Sequence, residues 1–291
     1  MQPDSPRLLR SLRWSAWLGW QIESNWTDPW LFAVYIVAKP LAGSLLLVFM
    51  YQAARTAAPE QVPSGLLPFA FFGNALYMLI GAVGFGMSAA VISDREHYGM
   101  LKYMRISPLN LRHYLLGRGI ASGAQGVLGA LCTLAAGLLL PLGLWQALPD
   151  EGVAWGWLLV YLVLGVVMLL ALGLILAGVV LNMARHGMFL SEGVGSILYL
   201  LCGAIFPIDR LPLWLQPISF ALPPTYWMEG MRRAALGHSA GMGPLASWSH
   251  GQLALALLVG TAAMVVLSRI IFDWCERRAQ RLGRFDVTTG Y

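Results

Sequence analysis

Long apolar runs separated by short polar stretches set the rhythm of this chain. Six windows are apolar over the ~20 residues that cross ~30 Å of hydrocarbon: Leu31–Tyr51, Leu66–Ser93, Leu115–Leu140, Val153–Asn182, Met188–Ile208 and Gln252–Phe272. Hydrocarbon offers the backbone no hydrogen-bond partner, so such runs close their own bonds as helices. The pattern therefore predicts an all-α, polytopic membrane protein with six transmembrane helices.

The polar stretches carry their own signals. Residues 1–30 predict an N-terminal amphipathic helix, Ser5 to Trp26, with Leu8, Leu12, Ala16, Ile22 and Trp26 on one side and Arg7, Arg10 and Arg13 across from them. Such a helix lies in the membrane interface, where Trp14, Trp17, Trp20, Trp26 and Trp30 suit the headgroup level. Between the second and third windows stands ISDREHYGMLKYMRISP, Ile92 to Pro108. Ser93-x-x-Glu96 has the spacing of a capping box, and Ser107-Pro108 stops a helix, so one helix over 93–107 is expected outside the hydrocarbon. Between the fifth and sixth windows, 207–237 is apolar, Pro-broken and too short to cross twice, which predicts short helices re-entering the outer leaflet. Residues 273–291 read as a polar C-terminal tail.

Composition narrows the class. With 58% hydrophobic and 11% charged residues and a mean hydropathy of +0.65, the chain lacks the mixed-charge surface of a water-soluble domain. Arg7, Arg10, Arg13, Arg95, Lys102, Arg105, Arg112, Arg118, Arg185, Arg269, Arg277, Arg278, Arg281 and Arg284 fall on one side of the six spans, against Arg55, Arg210, Arg232 and Arg233 on the other. The first side is cytoplasmic by the positive-inside rule, which places both termini inside. Seventeen arginines against two lysines suit a GC-rich bacterial genome, hence a bacterial inner membrane. The partner expected from composition is the lipid bilayer, with no nucleic acid. Cys132, Cys202 and Cys275, odd in number and at unrelated depths, read as apolar packers.

Chemistry of its own has little support in the sequence. There is no G-x-x-x-x-G-K-[ST] phosphate loop, no H-E-x-x-H or Cys/His ligand spacing and no G-x-S-x-G turn, so no catalytic, metal-binding or cofactor-binding residue is expected. Gly84-x-Gly86-x-x-Ala89 imitates a dinucleotide fingerprint inside an apolar run, where it lacks the strand that motif requires. Few polar residues fall at membrane depth. Lys39, Asn74 and Glu192 do, and Lys39 and Glu192 are candidates for a substrate path.

Two blocks carry a family resemblance. The first is Asp94-Arg95-Glu96 followed by Gly99, Leu101 and Pro108. The second runs through Pro207, Leu211-Pro212, Trp214-Leu215, Leu222-Pro223, Thr225-Tyr226, Glu229, Arg232 and Gly237. In this order and with this span layout the chain resembles the permease subunits of ATP-binding cassette exporters, the ABC type-2 family, over 31–291. His97-Tyr98 and Met100 depart from the commoner small residues around the glycine.

The resemblance implies that 93–107 is a coupling helix seated in a cleft of a separate ATPase subunit, which would bind ATP and Mg itself. Asp94, Arg95 and Glu96 would give polar register, Tyr98, Leu101 and Met104 an apolar contact, and Gly99 belongs to the motif. It further implies a second permease copy or a sister permease around a shared path. Trp214, Tyr226, Glu229 and Arg232 would close that path outside, Glu229 pairing with Arg232 and Arg233 for stability or for gating. The function expected is export of a hydrophobic or amphipathic small molecule such as a drug. A polysaccharide or glycolipid exporter is the alternative within the class, and a membrane scaffold or channel without an ATPase the alternative outside it.

Overall fold

The computed structural model describes residues 5–25, 29–60, 62–63, 65–107, 109–139, 152–183, 186–237 and 241–285. Every regular element among them is helical: α1 (Ser5–Asn25), α2 (Pro29–Ala57), α3 (Leu66–Ile80), α4 (Gly86–Glu96), α5 (Leu101–Ile106), α6 (Leu111–Leu139), α7 (Trp155–Asn182), α8 (Gly187–Leu201), α9 (Gln216–Ala221), α10 (Pro223–Leu236) and α11 (His250–Arg281). A π-helical turn, Gly81–Phe85, joins α3 to α4 without breaking the rod. Three glycines, Gly81, Gly84 and Gly86, lie in or beside this wider turn, a feature that often marks a hinge.

Among the described residues, five stretches are long and apolar enough to cross a membrane: Trp30–Ala57, Leu66–Glu96, Leu111–Leu139, Trp155–Asn182 and His250–Arg281. The window expected over Met188–Ile208 is instead the 15-residue α8, about 22 Å long at 1.5 Å per residue. Gly203, at φ +71°, turns the chain soon after α8, and Pro207 leads into a 3₁₀ turn at Ile208–Arg210. Short as it is, α8 joins the two ends of the bundle. Gly187 lies against Val180 and Ile92, where α7 and α4 finish, while the Gly203 carbonyl just beyond α8 accepts from Arg232 at the opposite end.

The core is built around α7. Tyr161, Met168, Leu169, Ala177, Val180 and Leu181 on it are fully buried against α4, α10 and α11. Apolar side chains also face outward, among them Leu46, Phe49 and Met50 of α2 and Leu255, Val259 and Val266 of α11. Around a water-soluble core such faces would be a liability; against lipid they carry no penalty.

Three expected boundaries shift. The helix expected over 93–107 is two pieces, because α4, the end of the second span, runs to Glu96 and α5 starts only at Leu101. Between them Gly99 takes φ +58°, a left-handed conformation that glycine adopts without a Cβ clash, and the Met100 N–H donates to the Asp94 carbonyl. Ser93 therefore caps nothing at a helix start; its carbonyl accepts from His97 and Tyr98 at a helix end.

The second shift concerns α1. It packs along α6 through Ser15 and Gly19, both buried and on the same side of the helix as Leu12 and Ala16, so the face its apolar pattern selects is laid on a neighbouring helix. Trp14 and Trp17 remain exposed. The third is the tail expected over 273–291, of which the first part continues α11 to Arg281. Cys275 and Ala279 are buried there, and the Asn182 side-chain amide donates to the Cys275 carbonyl at 2.9 Å.

Candidate functional site

At the α5 end of the bundle the acidic-Arg-acidic group is split between inside and outside. Asp94 and Arg95 are buried, at 1% and 3% exposure. Asp94 Oδ2 accepts from Tyr114 Oη of α6 at 2.9 Å. Arg95 Nη1 donates to the Met183 carbonyl, just after α7, at 2.8 Å, and its Nη2 pairs with Glu96 at 3.1 Å. These bonds tie the end of the second span to its neighbours. Asp94 and Arg95 are thus internal braces, and of the three residues Glu96 lies nearest the surface.

The outward surface comes from the residues that follow. Tyr98, Met100, Tyr103, Ile106 and Leu109 are exposed, Ile106 at 83%, and Lys102 sets its ammonium 5.6 Å from the Tyr103 ring centroid. Leu101 is buried and Met104 half-buried, so they anchor α5 to the bundle. The result is a short two-faced helix whose apolar outer side is unpartnered among the described residues. Pro108 and the Arg105 side chain lie outside those residues.

At the opposite end, α10 carries a buried ion cluster. Glu229, Arg232 and Arg233 are exposed by 4%, 1% and 1%. Spacing of three and four residues stacks them on one helix face, and the carboxylate bridges both guanidiniums, to Arg232 Nη1 at 2.9 Å and to Arg233 Nε at 2.8 Å. The remaining donors reach distant backbone. Arg232 Nη2 donates to the Gly203 carbonyl at 2.9 Å, Arg233 Nη1 to Trp248 at 2.6 Å, and Arg233 Nη2 to Leu245. Arg232 also stands over the Phe69 ring, 3.5 Å from its centroid. One carboxylate and two forks thereby fasten α10 to α3, to the turn after α8 and to the approach to α11.

Between the ends, a polar chain crosses three helices. Tyr199 Oη of α8 donates to Asn74 Oδ1 of α3 at 2.8 Å, and Asn74 Nδ2 donates to Ser44 Oγ of α2 at 3.0 Å. Tyr77 Oη donates to the Gly195 carbonyl at 2.6 Å. Near the α10 end, an apolar cavity of about 510 Å³ opens between α3, α6, α7 and α10, with Phe72, Leu134, Trp155 and Met231 in its wall.

Of the expected path residues, Glu229 and Arg232 come together in the α10 cluster. Glu192 is exposed on α8, and among the described residues its carboxylate has no hydrogen bond or ion pair. Trp214 is exposed at 71%, while Tyr226 is half-buried, donating from Oη to the Phe220 carbonyl at 2.7 Å and tilted against Trp248. The Lys39 side chain lies outside the described residues. No group of three or more potential metal ligands occurs among the described residues.

With this geometry in hand, comparison with known families is decisive. A family model described as ABC-2 type transporter matches residues 13–236, well over half of the chain. The chain belongs to the ABC-2 type transporter family. No curated protein matches it. The match begins within α1 and ends at the last residue of α10, so it takes in both ends of the bundle described above. This is the transmembrane permease domain of an ABC transporter, a multi-pass membrane protein of a generally non-catalytic family that typically works with an ATP-binding cassette partner.

Two features escape a reading of the ABC-2 chain by sequence. Arg118 is counted there as one more basic residue at a membrane edge, yet it is 3% exposed. The available signal is its setting between Gly117 and Gly119, two residues that permit another helix to come close. The Ser44–Asn74–Tyr199 chain shows in the sequence only as Asn74 at membrane depth, because its partners lie far away along the chain.

Proposed function

We propose that this ABC-2 permease is the membrane-spanning half of an ATP-driven exporter, and that α5 with the turn before it receives the ATPase subunit. The observation that carries the reading is the exposed apolar side of α5, with Tyr98, Tyr103 and Ile106 outward on an element anchored by Leu101. A docking surface of this kind, rimmed by Lys102 and Glu96, suits a cleft in a soluble partner. ATP and Mg are bound by that partner.

The α5 end is cytoplasmic in this reading, both termini are inside, and α8 with the turn after it makes the fifth of six crossings of a bacterial inner membrane. A second permease, a copy or a sister chain, completes the path, to which α8 contributes Glu192. The 207–237 segment closes the outer side, with Glu229 and Arg232 as its fastening and Tyr226 and Trp214 toward the exit. The substrate class is a hydrophobic or amphipathic small molecule, a drug among the candidates, supported by the apolar cavity under α10.

The test is reconstitution with the cognate ATPase in vesicles, measuring ATP-dependent movement of hydrophobic and amphipathic dyes. Tyr103→Ala and Ile106→Glu, both on exposed positions, should lower ATPase co-purification and transport together while leaving the permease as stable as before. Unchanged co-purification by both variants would remove α5 as the receiving element.

A further inference from the structure

The buried Arg118 belongs to neither the α5 surface nor the α10 cluster. It sits in the third turn of α6, and α1 lies directly over it. A Cβ added at Gly19 would meet the Arg118 Cδ at 3.2 Å and the Ala121 Cβ at 3.0 Å. One at Gly117 would meet the Ser15 Cβ at 2.5 Å and the Leu12 carbonyl oxygen at 2.9 Å. The two helices are therefore in backbone-close contact just where the guanidinium is enclosed.

The charges around it come from two other elements. Glu23 of α1 and Asp94 of α4 both feel the Arg118 charge. Glu23 Oε1 accepts from Ser122 Oγ at 3.1 Å, and Asp94 Oδ2 accepts from Tyr114 Oη. Among the described residues, Arg118 Nε and Nη1 and Asp94 Oδ1 have no hydrogen-bond partner. The neighbouring Arg95 is spent on Glu96 and the Met183 carbonyl. Two carboxylates on separate helices thus bond to α6 at Ser122 and Tyr114, one turn to either side of a buried cation.

We propose that Arg118 is the shared counter-ion that makes the N-terminal helix part of the coupling unit. It holds α1 and the end of α4 to α6, so that a push received at α5 moves α1, α4 and α6 as one body. This rests on the reading of α5 as the ATPase-receiving element. Arg118 is a positioning residue, since it acts through Glu23 and Asp94 and touches no substrate.

The experiment uses the permease–ATPase complex in lipid nanodiscs, nucleotide-free and trapped with ATP, Mg and orthovanadate, followed by hydrogen exchange of backbone amides. In the native complex, trapping should change exchange in α5, α1 and the first turns of α6 together. Arg118→Met keeps the apolar stem and removes the charge. It should make α1 amides exchange at least about ten-fold faster and confine the trapping response to α5. Arg118→Lys should restore most of both effects, which a purely steric role would not predict. Retained α1 protection in Arg118→Met, or an α1 response to trapping that persists in it, would overturn the proposal. Should Arg118→Met not fold, Arg118→Gln removes the charge while keeping a polar end, and must loosen α1 for the proposal to stand. Failure of the native permease to bind the ATPase would overturn the coupling role at its foundation. Exchange of α1 in the permease alone would then show separately whether Arg118 holds that helix.

Discussion

Gly73 of α3 lies flush under the carbonyl of Ala204, so close that a Cβ on Gly73 would overlap the carbonyl oxygen, with the Arg232 guanidinium 2.9 Å from the same point. The turn after α8 therefore rests on bare backbone of the second span. Gly73→Ala should push the turn away and break the Arg232 bond to Gly203, with a loss of roughly 1–3 kcal/mol expected of overpacking. Thermal unfolding in detergent checks it. A variant as stable as the parent would mean the turn has room to shift.

The Glu229 cluster is a fastening, and its members should not be equivalent to surface charges. Glu229→Gln leaves two buried guanidiniums without their anion, a change that costs about 3–5 kcal/mol when a buried pair is broken. Arg233→Lys keeps the charge but loses the fork that reaches Glu229, Trp248 and Leu245 at once. It should be intermediate. Denaturation of the three proteins in parallel ranks them, and a wild-type midpoint for Glu229→Gln would sink the fastening role.

Gly99 occupies a left-handed turn at the surface, with nothing near its missing Cβ. Gly99→Ala should therefore cost only the conformational strain, about 1–2 kcal/mol, and disturb α5 alone. Gly99→Asn should recover part of it, because asparagine tolerates this conformation. Exchange rates of the amides of α5, compared with those of α7, give the readout.

The chain from Ser44 through Asn74 to Tyr199 joins three helices at membrane depth. Removing one end with Tyr199→Phe should cost about 1 kcal/mol. Asn74→Leu strips both bonds at once and should cost more, while Asn74→Leu with Tyr199→Phe should be less than additive. A double-mutant cycle on unfolding free energies measures the coupling; strict additivity would show that the two residues act independently.

Burial raises the Glu23 carboxyl above its ordinary value of 4.5, with Arg118, Ser122 and Gln125 pulling it part of the way back. A carboxyl with a higher value in the docked helix than in a free one holds its proton more tightly when docked. Docking of α1 should then be strongest below about pH 4.5 and weaken as pH rises through the docked value, levelling off above it. Proteolysis within α1 as a function of pH tests this, and Glu23→Gln should flatten the profile.

Much of this architecture was legible in the chain because a bilayer enforces local solutions. Apolar runs of span length must become helices, since each backbone group has to find its partner within the run. The Glu229–Arg232–Arg233 spacing likewise declares a pairing, because a helix brings residues three and four apart onto one face. The decisive features of the α5 end were not local. Ser93-x-x-Glu96 has the letters of a helix start, yet the second span had not ended, and only the left-handed Gly99 decides where α4 stops. Arg95 finds its acceptor at Met183, across 88 positions of sequence, and so turns inward where its motif suggests a surface contact. Arg118 looks like any basic residue at a membrane edge until α1 folds over it. Sequence by itself determined which segments are helical and which class of protein they make. Tertiary packing decided which charges are buried, since burial depends on what a distant helix lays against them.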